Sequence, residues 1–465
     1  MSSNGLRPTF RDPAGSLSLT DDYAVRTIHP GSRATVLSFL ESAFYRDAVA
    51  RGEMSATTIE NPDAGGPDAP LILKHPRIAI PTYPWEWIPS QWLAAAELTL
   101  ALGERALESG WILKDATPLN ILFDGPNPVL VDVLSFDPRD PSDATWLAYG
   151  QYLRTFLLPL LAQRLLGWPL ELSQLRRDGY EASDIYAVLS WKQRLSPSVL
   201  WPVSMPFWLE RKGQDDAAKG KATARRMDPE AAAHVLARLM QSLAKRTRAA
   251  VGVSGRSEWS EYTGTLTHYT AEQAESKRAW VEEQLASLKP ARVLDIGANT
   301  GDFSALAASH GAQVIALERD ATAADQIYKR SLAQKLDVQT IHADLSRPTP
   351  AVGWENQESL ALLPRLEQQF QMVMMLAVIH HIVLLEQIPL RAIVELAARL
   401  TRKWLIVEWV PVEDPMFQSL MRGRTELYGH LHERDLLAAS DGLFHVRDEH
   451  RLTNGRVLFL FEKLG

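Results

Sequence analysis

The feature that most constrains the fold of this chain is the stretch Arg292–Ser304, which reads RVLDIGANTGDFS. Its apolar start is typical of a short buried parallel strand, and its end is typical of a helix. Alternating positions between them hold Asp295, Gly297, Asn299 and Gly301. Glycine lets a strand-to-helix turn bend sharply and approach a ligand, and asparagine also tolerates a positive φ. The stretch therefore predicts a nucleoside-cofactor site at the end of a strand.

The nature of the cofactor follows from the spacing of this turn and from the next strand. A dinucleotide site has the pattern G-x-G-x-x-G, whereas this chain has D-x-G-x-N-x-G. The second strand, Gln313–Leu317, ends in Glu318, an acid placed to accept hydrogen bonds from ribose hydroxyls. The turn resembles motif I of class I S-adenosylmethionine-dependent methyltransferases, with Asn299 in place of the middle glycine of that family.

This resemblance implies a fold and a cofactor. The family has a Rossmann-like, mostly parallel seven-stranded sheet with an antiparallel last strand, and it binds S-adenosyl-L-methionine. By the same resemblance, Tyr269 and Lys277 lie near the carboxylate of the cofactor's methionine part, which a phenol and a cation suit chemically. Asp344, beside Leu345 after the third strand, accepts a bond from the adenine amino group.

Candidate catalytic residues follow the fourth and fifth strands. The fourth strand is predicted over Gln371–Ile379, so that His380 and His381 arrive at the carboxyl edge of the sheet, where ligands bind. An imidazole there can deprotonate an acceptor, or it can hydrogen-bond locally and shape the pocket. Glu408 ends the fifth strand and is expected to orient a histidine or hold a cationic acceptor. A metal site built from His381, Glu408 and Asp414 is conceivable, but no fixed ligand spacing supports it.

The N-terminal half contains a second motif, after a predicted helix over Gln91–Glu108. Two apolar strands, Ile121–Phe123 and Val129–Val133, flank an Asp-Gly turn and predict a hairpin. Around it lie Asp115, Asn120 and Asp132. The segment resembles the catalytic loop and metal-binding strand of protein kinases and aminoglycoside phosphotransferases, in which such residues gather around Mg-ATP.

The match to the kinase pattern is incomplete. Leu113 stands where the kinases have histidine, and Val133–Leu134 replaces Phe-Gly after the metal-binding aspartate. Upstream there is no Gly-rich phosphate loop, and Lys74 is the nearest candidate for a phosphate-binding lysine. Three readings stay open: a kinase-derived scaffold without transfer activity, an active phosphotransferase, and a chance resemblance.

Length and composition suggest more than one domain. The chain has 465 residues, which exceeds one ordinary domain. We expect an N-terminal α+β domain over 1–208, a linker and helix over 209–254, and the methyltransferase domain over 255–465. The polar stretch Arg211–Arg226 is predicted to be exposed linker, followed by a helix from Pro229.

Charge and hydropathy indicate which classes of partner and which cellular location to expect. The net charge of −7 and the isoelectric point near 6.0 argue against a nucleic-acid partner, because phosphate binding needs a positive surface. The start of the sequence lacks a signal-peptide pattern, and the apolar stretches are too short or interrupted to span a bilayer. There is no cysteine. These features predict a cytoplasmic protein without a membrane partner.

The sequence therefore predicts in-line transfer of a methyl group to an oxygen or nitrogen of a small or medium-sized acceptor. The whole arrangement is similar to bacterial methyltransferases related to a rhizobial nodulation protein, which implies no particular substrate. The N-terminal half is expected to form a wall of the substrate pocket or the surface of a homodimer. The alternatives are an RNA methyltransferase, a bifunctional kinase–methyltransferase that binds Mg-ATP, and a binding protein with a vestigial pocket.

Overall fold

The computed structural model describes residues 12–20, 22–60, 69–216, 226–251 and 269–465, without the side chains of 211–216. The chain divides into two compact units, and each is described by itself. The first unit comprises Met1–Asp124, Pro128–Val253 and Val352–Ser359, and the second comprises Gly125–Asn127, Ser254–Ala351 and Leu360–Gly465. The three-part division expected from the sequence stays a prediction.

The first unit is α+β. Its largest sheet is antiparallel, has the order β1-β2-β4-β3, and consists of β1 Gly15–Leu19, β2 Tyr23–Ile28, β3 Thr58–Ile59 and β4 Leu71–Pro76. Two further pairs are β5 with β8 and β6 with β7, formed by β5 Trp111–Leu113, β6 Ile121–Asp124, β7 Asn127–Leu130 and β8 Phe136–Pro138. The predicted hairpin is confirmed as β6 and β7, which pair around the Asp-Gly turn. The boundary of its second strand was predicted wrongly, because β7 ends at Leu130 and Val133 begins a 3₁₀ turn.

The α-helices described in the first unit are Pro30–Leu40, Ala43–Ala50, Pro89–Glu108, Tyr149–Tyr152, Leu158–Leu166, Ala182–Val188, Trp191–Arg194, Pro197–Val199, Met205–Asp216 and Pro229–Ala250. Shorter 3₁₀ turns cover Pro84–Glu86, Pro118–Asn120, Val133–Ser135 and Leu170–Leu175, and π-helical turns cover Leu153–Leu157 and Leu200–Ser204. The helix predicted over Gln91–Glu108 is confirmed and begins two residues earlier, with proline at its first position.

The segment that the sequence assigns to a linker is partly helical. The helix Met205–Asp216 continues through the first residues of the polar stretch, and the remainder, residues 217–225, lies outside the described residues. The next helix begins as predicted, with Asp228 as its N-cap, and its residue Met240 lies against Gly103. A Cβ at Gly103 would lie 3.2 Å from the sulfur of Met240, so the glycine permits this close helix approach.

The second unit is built on a seven-stranded sheet with the order β11-β10-β9-β12-β13-β15-β14. Its strands are β9 Arg292–Ile296, β10 Gln313–Glu318, β11 Val338–His342, β12 Phe370–Met375, β13 Thr401–Trp409, β14 Phe444–Arg451 and β15 Val457–Lys463. Strands β9 to β13 pair in parallel, and β15 runs antiparallel to both of its neighbours. The predicted Rossmann-like fold is confirmed, including the antiparallel last strand.

The second unit also contains α-helices. They are Ala271–Leu288, Asp302–Ser309, Ala321–Gln334, Leu362–Leu366, Ile379–Leu385, Leu390–Leu400, Pro415–Met421, Thr425–Tyr428 and Glu433–Ser440. The 3₁₀ turn at Trp354–Asn356 belongs to the first unit. Central strand residues such as Val293, Met374 and Ile406 are fully buried in one apolar cluster. Truncating a core side chain of this kind costs about 2–5 kcal/mol of stability.

The boundary of the fourth strand was predicted wrongly. Strand β12 ends at Met375, and the chain then turns at Ala377, which has a φ of 53°. His380 and His381 consequently lie in the first turn of the helix Ile379–Leu385, not at the end of a strand. An apolar run has no periodicity that separates a buried strand from a buried helix, so the sequence could not place the break.

None of the α-helices in the described ranges is long and apolar enough to cross a membrane.

Candidate active site

The turn after β9 has the backbone conformation that its glycines predict. Gly297 has a φ of 69°, Asn299 of 50° and Gly301 of 78°. A Cβ at Gly297 would lie 2.8 Å from Cγ2 of Val378, and one at Gly301 would lie 2.9 Å from Cγ1 of Ile327. Both positions therefore need glycine for two reasons, since a side chain would be strained and would also collide with a neighbour.

Two buried carboxylates hold this turn. Asp295 is 2% exposed and accepts a hydrogen bond of 2.6 Å from the hydroxyl of Ser304. Burial raises the pKa of Asp295 to about 6. Glu318 accepts one bond from the backbone N–H of Asn299 at 2.8 Å and another from that of Asp320 at 2.7 Å. Each oxygen of a carboxylate can accept a second bond, so Glu318 can fix the turn and also receive ribose hydroxyls.

A cavity of about 650 Å³ opens beside the turn, at the carboxyl ends of the parallel strands. This volume lies in the range of small-molecule sites. Most of the residues predicted for the site line it: Tyr269, Lys277, Asp295, Gly297, Asn299, Glu318, Asp344, Leu345, His380 and His381. Gly301 and Glu408 are absent from the lining, and their contributions are indirect. The individual binding and catalytic roles stay predictions.

Asp344 lies just beyond β11, at the side of the cavity that Glu318 and its neighbour Arg319 also line. Its carboxylate accepts a bond of 2.8 Å from the backbone N–H of Ser346, and Nη1 of Arg319 lies 3.9 Å away. The side chain is 29% exposed, so lone pairs remain accessible for an amino group of a ligand.

The two histidines form one wall of the cavity. Their ring centroids are 4.2 Å apart, and the ring of His380 stacks on Phe417 at 6.3 Å. Burial, followed by the positive charges of Arg319 and Arg456, lowers the pKa of His381 to about 4. His381 is therefore a neutral imidazole at physiological pH, able to accept a hydrogen bond but less basic than an exposed histidine.

Glu408 has partners that the sequence analysis did not foresee. It is completely buried, and its carboxylate accepts a bond of 2.6 Å from Nζ of Lys277 and another from the hydroxyl of Tyr269. Nη1 of Arg456 lies 3.4 Å away. Burial pushes the pKa of Glu408 up, but the cations Lys277 and Arg456 outweigh it and hold that pKa below its ordinary value. Glu408 therefore fixes Tyr269 and Lys277; this corrects its predicted contact with a histidine or an acceptor.

Arg456 was missed in the sequence analysis. It lies just before β15, is 2% exposed and lines the cavity. Its Nε donates to Oδ2 of Asp414 at 2.9 Å, and its Nη1 donates to the hydroxyl of Tyr269. Its sequence signal is that it directly follows Asn454-Gly455, a dipeptide that is typical of a hairpin turn. The conceivable metal site of His381, Glu408 and Asp414 is not assembled, because both carboxylates are paired with cations.

The kinase-like residues of the first unit do come together. Nδ2 of Asn120 donates to Asp115 at 3.0 Å and to the hydroxyl of Ser135 at 3.0 Å, and that hydroxyl donates to Asp132 at 2.8 Å. However, Asp132 is paired with the buried Arg26 on β2, with Nη2 of Arg26 2.8 Å from Oδ1.

The guanidinium of Arg26 thus places a positive charge beside Asp132, where a kinase has a metal ion beside the corresponding aspartate. Asp115 is engaged as well, because Gln151 donates to its carboxylate. The candidate phosphate-binding Lys74 is paired with Glu60. A small cavity of about 20 Å³ in this unit is lined by residues such as Trp85 and Trp92 and not by these aspartates.

The strand order, the D-x-G-x-N-x-G turn and the cavity beside it agree with the Rossmann-like fold that the resemblance to class I S-adenosylmethionine-dependent methyltransferases implies for the second unit. No model of a protein family matches the chain. The chain is similar over 469 residues to nodulation protein NoeA of Rhizobium meliloti (strain 1021), with 29% identity over 98% of this chain and 95% of the relative.

Solved structures with a similar fold include magnesium protoporphyrin IX methyltransferase (ChlM) from Synechocystis PCC 6803 with bound SAH. It has 14% identity and a TM-score of 0.33, over 44% of this chain and 93% of that one. Another is the bifunctional kinase–methyltransferase WbdD, with 18% identity and a TM-score of 0.32, over 43% of this chain and 41% of that one.

Proposed function

We propose that this protein transfers a methyl group from S-adenosyl-L-methionine to an oxygen or nitrogen atom of a small or medium-sized acceptor. The observation that carries the proposal is the cavity of about 650 Å³ at the switch point of the sheet, lined by most of the predicted cofactor residues. A cytoplasmic location and the absence of a membrane partner belong to the same proposal.

In this proposal the cofactor lies along the carboxyl ends of β9, β10 and β11. The ribose hydroxyls bind the carboxylate of Glu318, and the adenine amino group binds that of Asp344. The methionine part extends past the turn at Gly297 toward Tyr269 and Lys277. The close approach of the backbone at Gly297 would bring the sulfonium to the side of the cavity where the histidines lie.

Methyl transfer itself needs a nucleophile held in line with the bond between sulfur and the methyl carbon. Orientation of this kind supplies much of the acceleration in reactions between two bound partners. The neutral imidazole of His381 can accept a hydrogen bond from the hydroxyl or amine of the acceptor. This bond would orient a lone pair of the acceptor oxygen or nitrogen toward the methyl group. Its low pKa makes it a weak base, so proton removal would accompany bond formation rather than precede it.

The first test of the proposal is cofactor binding. We expect S-adenosylhomocysteine to bind the purified protein in a calorimeter, and we expect cell extract with isotopically labelled S-adenosylmethionine to yield a labelled small molecule. Absence of binding by the wild-type protein would refute the proposal. The labelled product, isolated and identified, would reveal the acceptor.

The role of His381 has its own test. Replacing it with alanine should lower turnover about 10²–10⁴-fold if the imidazole takes part in proton transfer. His310→Ala is a matched control, because His310 is paired with Glu282 on the surface of the same unit. A loss below tenfold would reduce His381 to a residue that shapes the pocket.

A further inference from the structure

We propose that Arg456 forms an anion subsite in the cavity and binds a carboxylate of the molecule that occupies it. This inference rests on the proposed function and names a recognition group that the sequence motifs do not contain.

The first argument is the position of Arg456. Strand β15 runs antiparallel to β13, so its start lies at the same edge of the sheet as the carboxyl ends of the parallel strands. Arg456 immediately precedes this strand and lines the cavity, although its side chain is only 3% exposed. A buried guanidinium that borders a ligand cavity is rare, because removing the charge from water is costly unless a partner compensates.

The second argument is the way in which the guanidinium is held. Nε is fixed by Asp414 at 2.9 Å, and Nη1 is fixed by the hydroxyl of Tyr269. Nη2 has no hydrogen bond to another described residue. Two of the three nitrogens thus determine the orientation of the plane, and the third presents its N–H groups without a loss of side-chain freedom when a ligand arrives.

The third argument is a second donor close to the first. Nζ of Lys277 donates to Glu408 at 2.6 Å and to the hydroxyl of Tyr269 at 3.3 Å, which accounts for two of its three protons. The same hydroxyl therefore accepts a bond from Lys277 and one from Arg456. Each cation keeps donor capacity beside this shared hydroxyl, an arrangement that suits the two oxygens of one carboxylate.

The charges agree with this interpretation. Lys277 and Arg456 carry two positive charges, and Glu408 and Asp414 carry two negative charges. The carboxylates bind from outside the cavity lining, whereas both cations belong to it. The cluster is neutral as a whole but presents its positive side to the ligand, which stabilises an anionic group at that side.

Two molecules could supply the carboxylate: the amino-acid end of the cofactor, or an acidic acceptor. The experiment compares the binding of S-adenosylmethionine and of decarboxylated S-adenosylmethionine, which differ only in the carboxylate, to the wild type and to Arg456→Gln, by calorimetry. It then adds acetate to the protein saturated with S-adenosylhomocysteine and follows the chemical shifts. Arg451→Gln is the control, because Arg451 is exposed on β14 and pairs with Glu433.

If the cofactor supplies the carboxylate, removing that group weakens binding to the wild type about 10- to 100-fold, and Arg456→Gln abolishes the difference. If an acidic acceptor supplies the carboxylate, Arg456→Gln leaves the difference in affinity between the two nucleosides unchanged. The same variant removes the chemical-shift changes that acetate causes. Equal results for wild type and Arg456→Gln in both arms would overturn the proposal. A wild type that binds neither nucleoside would instead refute the proposed function.

Loss of Arg456 leaves Asp414 buried without a cation, which can prevent folding by itself. The double variant Arg456→Gln with Asp414→Asn removes both charges and keeps neutral hydrogen-bonding groups in their place. The outcomes given for Arg456→Gln apply to this double variant as well. Arg456→Lys retains the charge but not the planar arrangement of donors. We expect this variant to recover part of the difference in affinity between the nucleosides with and without the carboxylate.

Discussion

The two units each contain a buried cluster of acids and cations, and the clusters differ in what their charges face. In the first unit, Arg26 closes on Asp132 beside Asn120 and Asp115. In the second, Lys277 and Arg456 are held by acids on one side and border a cavity of about 650 Å³ on the other. Similar residues therefore give a self-contained network in one unit and a network that borders a cavity in the other.

The comparison teaches that a constellation of residue types is not enough to define a site. The kinase-like residues are assembled, but the charge that a metal would bring is already supplied by the chain itself. This arrangement favours the reading of the first unit as a scaffold without phosphotransfer.

The largest expected effect concerns Gly297. Gly297→Ala places a methyl group 2.8 Å from Val378 at a φ of 69°, so the turn must move. We expect the affinity for S-adenosylhomocysteine to fall more than about 100-fold, because the backbone no longer approaches the ligand. Gly311→Ala is the control: Gly311 has a φ of 87°, but nothing lies within 4 Å of its added methyl group. Equal losses in both variants would attribute the effect to backbone strain alone.

The second prediction compares ligands in a thermal-shift experiment. S-adenosylhomocysteine at 100 times its Kd should stabilise the second unit by about 2.7 kcal/mol and raise its Tm. Mg-ATP should leave the Tm unchanged, since Asp132 is occupied by Arg26. A shift with Mg-ATP that disappears in Asp132→Ala would contradict the scaffold interpretation and support the bifunctional alternative.

The third prediction removes the internal cation. Arg26→Met leaves Asp132 buried and uncompensated, and we expect the free energy of unfolding of the first unit to fall by about 2–4 kcal/mol. Adding Asp132→Asn should recover most of this loss. In the control Arg51→Met, which breaks the exposed ion pair with Asp47, the change should stay below about 1 kcal/mol. Urea unfolding measures all three; a small loss in Arg26→Met would mean that water already reaches Asp132.

The last prediction concerns the dependence of stability on pH, which a buried histidine in each unit reports. Burial, followed by the charge of Arg26, lowers the pKa of His75 to about 4, close to the value for His381. The ordinary value is 6.5, so between pH 6.5 and 4 the unfolded chain binds the proton and the folded chain does not. Stability should therefore fall as the pH falls through this window.

The variants His75→Gln and His381→Gln should each weaken this pH dependence when urea unfolding is compared at pH 7 and pH 4.5. In Arg456→Gln, loss of a nearby positive charge should raise the pKa of His381 in an NMR titration and leave that of His75 unchanged. Equal movement of both histidines would mean that the variant changes the fold as a whole.

The part of this architecture that the sequence predicted is local. The turn at Gly297 and Gly301 follows from residues next to each other in the chain, because a strand, a positive φ and a helix leave few alternatives. Glu318 could be placed for the same reason. It ends β10, which runs parallel to β9, and an acid at the end of such a neighbouring strand lies close to the turn that follows β9.

The rest depends on contacts between distant segments. Glu408 pairs with Lys277 and Arg456, residues far away in sequence, and no spacing encodes which cation meets which acid. Arg456 reaches the cavity only because β15 is antiparallel to β13, so its role depends on the direction of a strand. The histidines were placed one element too early, because the apolar residues before them suit a strand and a helix equally.

The position of β15 also affects the order in which the sheet can be completed. This strand follows β14 in the chain but lies between β14 and β13, as an inner member of the sheet. During synthesis on the ribosome, the edge of β13 stays uncovered until the residues of β15 have emerged. The same residues bring Arg456, so a nascent chain would gain its final sheet hydrogen bonds and its cavity cation together. A molecular chaperone that shields unpaired strand edges would act on this chain until β15 has been synthesised.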